Sequence, residues 1–208
     1  MAVEIGPFTI WNEREAVPGN RALPVANALL FLPAGQRLGD SPAAALLFHR
    51  WAGYHDSPVQ RALGTALAER GVPALSFGLR RRGLEGALLS VPDDDVADTS
   101  LALDWLFNAG YRDLYLVGEQ IGALSAARFL AKKIDPRVRG LVLIRPLAHP
   151  RDWLAGALGT NRYDQLRQES GRAALFQAST LYLVDEPLTG PDGEPFPLVQ
   201  YAGAILAW

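Results

Sequence analysis

The segment Leu114-Tyr115-Leu116-Val117-Gly118-Glu119-Gln120-Ile121-Gly122-Ala123-Leu124 limits the folds open to this 208-residue chain more than any other. Four residues of apolar, β-favouring character run into a Gly-x-x-x-Gly turn, and a small-residue helical pattern follows at once. A strand that turns this sharply into a helix holds its middle residue in strained backbone at the top of a sheet. Glycine is required on both flanks, because a side chain at either place would collide with the bend. The middle residue is Gln120.

The runs on either side set the architecture. Val25 to Leu32 reads as a strand stopped by Pro33-Ala34-Gly35, and Ala43 to Phe48 is a continuous apolar run. Continuous rather than alternating runs suit central parallel strands covered on both faces. Ser57-Pro58 caps a helix that ends at Gly71, with Val59, Ala62, Leu63, Ala66 and Leu67 as its expected buried stripe. Val72 to Phe77 is the next strand, and a basic loop, Arg80-Arg81-Arg82-Gly83, follows it. Ser90 to Asp95 supplies caps and early negative charge for a helix running to Ala109 and terminated by Gly110. Ile121 to Lys133 is helical, and Val138 to Ile144 is a further apolar strand closed by Arg145-Pro146. Strands and helices alternating at this spacing predict right-handed crossovers and an α/β fold, a three-layer sandwich with a parallel sheet between helices.

Residues 1–150 are expected to form this core and 151–208 a cap-like segment of helices and a hairpin. Trp153 to Leu158 and Tyr163 to Phe176 look helical, while Leu181 to Val184 and Pro197 to Tyr201 could pair around Gly190-Pro191-Asp192-Gly193. The sequence closes on an apolar stretch, Ala202 to Trp208.

Composition removes several classes of function. Hydrophobic residues make up 49% and charged residues 20%, which are values of a globular chain. A formal net charge of −2 gives no electrostatic reason to expect a nucleic acid or an anionic membrane as partner. With no cysteine, disulfides, thiolate catalysis and Cys-based zinc sites are excluded together. The N-terminus lacks the basic and apolar regions of a signal peptide, and no apolar run reaches the ~18 residues of a membrane span. A cytoplasmic protein without a cofactor is the expectation.

Over about residues 25–150 the sequence resembles the α/β-hydrolase fold family. The likeness rests on His49-Arg50-Trp51-Ala52-Gly53 where that family has its oxyanion loop, on the Arg80 to Gly83 loop, and on Gly118-Glu119-Gln120-Ile121-Gly122 at the nucleophile elbow. The segment after Leu141 to Pro146 resembles the cap that many members insert after the sixth strand. A fainter likeness is to the hydrolase-like proteins associated with bacterial exosortase systems. The resemblance implies a serine-type triad, and three departures remove it. Gln120 stands at the nucleophile position, Arg50 replaces a glycine of the oxyanion loop, and the only histidine after the elbow is His149. The last two strands of the family, which carry acid and base, have no clear counterpart.

Each candidate residue has a functional and a plain reading. Gln120 could hydrogen-bond a ligand at the mouth of the sheet, or it could occupy a retired site. The backbone N–H groups of Ile121 and Trp51 stand where an oxyanion hole would be and could hold a carbonyl or anion. Glu119 is a weak general-base candidate and otherwise an ion-pair partner. His49, His55 and His149 lie on separate loops; loop hydrogen bonding is the plainer reading, since no His-x-x-x-His pair exists. Ser125, one helical turn past the elbow, is the nearest hydroxyl and otherwise a packing residue, as is Ser76. Asp93-Asp94-Asp95 is explained by the helix dipole, and Arg80 to Arg82 by a solvated loop, before a cation or phosphate is invoked.

Two functions are therefore expected from the sequence. The first is a catalytically retired α/β-hydrolase-fold protein that binds a small molecule at the elbow through Gln120, Ile121, Trp51, Arg50 and His49. In this reading a second copy or a partner protein covers the 138–144 edge and the apolar C-terminus. The second is a hydrolase of small esters, amides or acyl groups. It would use a non-standard set (Glu119, His149, Ser125) or a segment from another chain, or else the sequence is part of a longer one.

Overall fold

The computed structural model describes residues 3–11, 24–50, 53–79, 92–147 and 149, isolated positions between 152 and 168, and short strands between 181 and 201. Among the described residues six strands form the main sheet: β1 (Val3–Trp11), β2 (Pro24–Pro33), β3 (Ala43–Phe48), β4 (Ala74–Phe77), β5 (Asp113–Glu119) and β6 (Val138–Ile144). Their order is β1-β2-β4-β3-β5-β6. The strands β4, β3, β5 and β6 run parallel, as expected, but β2 is antiparallel to both β1 and β4, so the sheet is mixed. Among the described residues three helices connect the parallel part: α1 (Pro58–Glu69), α2 (Pro92–Asn108) and α3 (Ile121–Lys132).

Two apolar clusters lie on opposite faces of the sheet. Phe48, Phe77, Leu103, Leu106, Tyr111 and Phe129 pack between it and α2 and α3. The rings of Phe48 and Phe77 meet edge to face at 5.5 Å. On the other face Phe31, Leu47, Ala68 and Val117 meet Leu63 and Leu67 of α1. Each such side chain taken from water contributes about 2 kcal/mol, which makes these clusters the main source of stability.

The buried stripe of α1 differs from the expected one. Ser57 caps the helix as predicted, but Val59 is 41% exposed and Ala62 is also exposed, while Gln60, Gly64 and Ala68 are buried. Gly64 sits under the Phe31 ring, and a Cβ there would lie 2.3 Å from it. Gln60 is buried because its amide is satisfied: Nε2 donates to the Phe48 carbonyl at 3.3 Å, and Oε1 lies 3.0 Å from Ser76 Oγ. Apolarity alone could not locate that face.

Among the described residues β6 is the outer strand of the sheet. It is not covered like β3: Val142 is 48% exposed and Leu143 44%. The predicted hairpin is present as a pairing of β7 (Leu181–Leu183) with β10 (Val199–Tyr201), with β8 (Leu188–Thr189) against β9 (Pro195–Phe196) between them. These pairs form separate two-stranded sheets. The basic 80–83 loop, Pro197 and Leu198, and the 202–208 stretch lie outside the described residues, as does most of the expected helical region between 153 and 176. No described helix is long and apolar enough to cross a membrane.

Candidate functional site

The site is built where β5 turns into α3. Gln120 has φ 50° and ψ −113°, a left-handed backbone that a glutamine adopts only under constraint. Two close approaches impose it. A Cβ on Gly118 would lie 2.4 Å from the Ala123 Cα, and one on Gly122 would lie 2.6 Å from the carbonyl oxygens of both Phe48 and His49. The first turn of α3 thus rests on the end of β3, and only glycine permits that contact. Gln120 is 6% exposed, and its N–H donates to the Ile144 carbonyl at 3.0 Å. Its own carbonyl accepts from Ala123 N–H at 3.2 Å and from Leu147 N–H at 3.4 Å. Ile121 is the first residue of α3, and a helix gives its opening N–H groups no internal acceptor.

The loop after β3 is pinned from beneath. His49 is fully buried; Leu79 N–H donates to its Nε2 at 3.1 Å, so Nδ1 carries the proton and donates to the Arg50 carbonyl at 2.8 Å. That carbonyl also accepts from Gly53 N–H at 3.0 Å. The imidazole therefore ties the end of β3 to the end of β4 and lies under the loop, not at its face. Arg50 is half-buried. Trp51, the other oxyanion-loop candidate, lies outside the described residues.

The remaining candidates are placed as follows. Glu119 is buried at the end of β5, opposite Ile144. Ser125 is fully buried one turn into α3, with Oγ 2.5 Å from Asp95 Oδ2 and 3.1 Å from the Ile121 carbonyl. Asp95, which the sequence assigned to the acidic start of α2, is buried and faces α3 through this bond. His149 is exposed two residues past Leu147, the residue bonded to Gln120. His55 gives its carbonyl to Ser76 Oγ at 2.7 Å. Among the described residues no group of His, Asp and Glu could hold a metal ion.

Sequence reasoning read Arg145 only as the stop of β6. It is the second described non-glycine residue with left-handed φ, at 47°, and it stands at the strand end beside the elbow. The one signal available was its place before Pro146, where the chain must leave the strand.

By sequence, no family model and no curated protein matches the chain. By structure it is similar to the hypothetical protein PA2218 from Pseudomonas aeruginosa, with a TM-score of 0.67 and 16% identity over 99% of this chain and 70% of that one. It is also similar to the siderophore hydrolase EstB from Aspergillus fumigatus (TM-score 0.61, 15% identity, 97% of this chain and 64% of that one). A third is Est1E from Butyrivibrio proteoclasticus (TM-score 0.56, 18% identity, 88% and 64%). The chain spans about two thirds of the length of these structures. Together with the strand order and the strained turn after β5, they establish that this chain has the α/β-hydrolase fold.

Proposed function

We propose that the chain is a catalytically retired α/β-hydrolase-fold protein, a binding or accessory subunit that holds a small molecule at the turn between β5 and α3. The observation that carries this reading is Gln120 at φ 50° in the elbow position. A carboxamide has no proton whose removal yields a competent nucleophile, so no acyl intermediate can form at that atom. It can donate and accept hydrogen bonds, and the Ile121 N–H beside it remains a donor. In this reading the exposed Val142 and Leu143 on β6 meet a second copy or a partner protein. Light scattering that returns a monomer with an unpartnered edge at working concentration would remove this last part and leave the rest.

A second reading, a hydrolase of small esters, amides or acyl groups, is favoured by one observation. Strained backbone at functional sites is retained where it serves chemistry, and several similar structures are named esterases or hydrolases. One experiment separates the two: labelling with a fluorophosphonate probe, together with a panel of p-nitrophenyl esters. The expected result is no covalent label and no turnover above buffer. Stoichiometric labelling, or turnover that Gln120→Ala abolishes, overturns the retired reading.

A further inference from the structure

Of the three histidines only His49 is fully buried, and backbone engages each of its ring nitrogens. That pairing admits one protonation state. Nδ1 carries a proton in order to donate to the Arg50 carbonyl at 2.8 Å, and Nε2 is bare in order to accept from the Leu79 N–H at 3.1 Å. A second proton on the ring would set two N–H donors against each other at Nε2. The bond at risk is the one that joins the segment after β3 to the segment after β4. The His49 carbonyl in turn lies against the first turn of α3, where a Cβ on Gly122 would come within 2.6 Å of it. One residue thus touches the three pieces of chain that meet at the elbow.

The described charged and titratable groups around the ring come from each neighbouring element. On its own segment Arg50 follows directly and is half-buried, and His55 lies further on with its carbonyl held by Ser76 of β4. The residues of β4 are Ala-Leu-Ser-Phe, none of which titrates near neutrality. On β5, Glu119 is buried one position beyond the pairing of Phe48 with Gly118. The first turn of α3 is uncharged, and behind it Ser125 carries the bond to Asp95 of α2. From α1 the neutral Gln60 reaches the Phe48 carbonyl. Glu119 and Asp95 favour a charged ring, whereas Arg50 and complete burial oppose it.

We propose that His49 is an acid-sensitive latch: the neutral ring holds the segments after β3 and β4 together beneath the elbow, and its protonation parts them. This rests on the reading of the elbow as a binding site, and it adds the regulation of that site. Opening is linked to the proton. A ring released from Leu79 meets water and titrates near its ordinary value of about 6.5. The closed form takes no proton at Nε2, so below that value each unit of pH favours the open form by about tenfold. The latch is therefore complete in neutral solution and is lost as pH falls.

The test uses the full chain labelled with nitrogen-15 and followed from about pH 8 to pH 5, the range in which a histidine changes charge. The signals read are the His49 ring nitrogens, the Leu79 amide, and the Leu116 amide in the middle of β5 as a reference. Nε2 is expected to gain a proton in one step, and the exchange protection of Leu79 to fall by about tenfold or more across that step while Leu116 keeps its own. His49→Gln places a carboxamide oxygen where it can accept from Leu79 N–H, and a carboxamide does not titrate. Protection of Leu79 in that variant should stay level over the same range. Leu79 protection that holds to pH 5 in the parent overturns the proposal. So does a parallel fall at Leu116, which would mark unfolding of the whole domain, and so does an equal fall in His49→Gln. Fluorophosphonate labelling would instead overturn the retired reading and leave the latch standing, since the bonds of the ring do not depend on what the elbow binds.

Discussion

At their starts, β5 and β6 share a backbone bond, Leu114 N–H to the Arg137 carbonyl at 2.8 Å, and side-chain ion pairs surround it. Arg139 Nε donates to Asp113 Oδ1 at 2.7 Å, and Arg137 bonds both Asp135 (2.6 Å) and Asp104 (2.8 Å) while lying 5.4 Å from the centre of the Phe107 ring. The Arg137 guanidinium holds the Asp135 carboxyl below the usual carboxylate range, and the two aspartates raise Arg137 further. At their ends, the same strands are joined by backbone, with two left-handed residues, two glycines in contact with neighbouring main chain, and two interlocking N–H···O bonds. The first end depends on which side chains face each other, and several combinations would serve. The second depends on a path of the chain that few residues can follow. The end held by constrained backbone is the better support for a precisely placed site.

Substitutions should therefore be unequal at the two ends. Gly118→Ala should destabilise the protein by about 3 kcal/mol or more, because the added methyl meets backbone, which cannot rotate away. Urea unfolding gives the value, and a loss below about 1 kcal/mol would mean that the elbow can relax and that the contrast is false. Gly64→Ala tests the same idea under α1, away from the elbow. Its methyl would meet the Phe31 ring, a side chain boxed in by the core, so the loss should be about 2 kcal/mol.

The part of this that was legible in the sequence is the part carried by residue type. Continuous apolar runs gave β3 and β6 at their observed bounds, and the Gly-x-x-x-Gly spacing located the bend after β5. The stripe of α1 was legible in part: Leu63 and Leu67 meet the core, but Val59 and Ala62 do not, and a hydrophobic count passes over Gln60 as polar and Gly64 as neutral. Burial of the first depends on Ser76 and the Phe48 carbonyl, and of the second on Phe31, all distant in sequence. Arg145 was passed over for a related reason. Its left-handed φ follows from the hydrogen bonds of its neighbours to Gln120, and arginine carries no mark of that conformation. The link between Ser125 and Asp95 spans thirty positions, so it too had no local signature.

The charged end makes its own prediction in pH. Asp135 has a lower carboxyl pKa in the folded chain than in the unfolded one. Its contribution is complete above the unfolded value of about 4 and disappears as pH falls through the folded value. Asp135→Asn should therefore cost about 1 kcal/mol at pH 7 and progressively less below pH 4. Guanidinium unfolding at pH 7 and pH 3 measures the difference. An equal loss at both pH values would show that the Arg137 pairing contributes nothing and that packing and the backbone bond join this end.

The smallest expected effect has a sign that reverses between the two ends. In an ordinary extended strand glycine is less stable than alanine, because it loses more freedom on folding, by roughly 0.5–1 kcal/mol. Arg139→Gly should accordingly be less stable than Arg139→Ala by about that amount. At Gln120 and Arg145 the order should invert. Alanine there keeps the left-handed penalty, of order 1–3 kcal/mol, while glycine relieves it, so Gln120→Gly should exceed Gln120→Ala by about 1 kcal/mol after its extra unfolded-state entropy is subtracted. Comparing glycine with alanine at one site cancels the loss of the original side chain, which isolates the backbone. Should alanine equal glycine at positions 120 and 145, the left-handed bends would carry no strain. The glutamine would then need no binding role to account for its presence there.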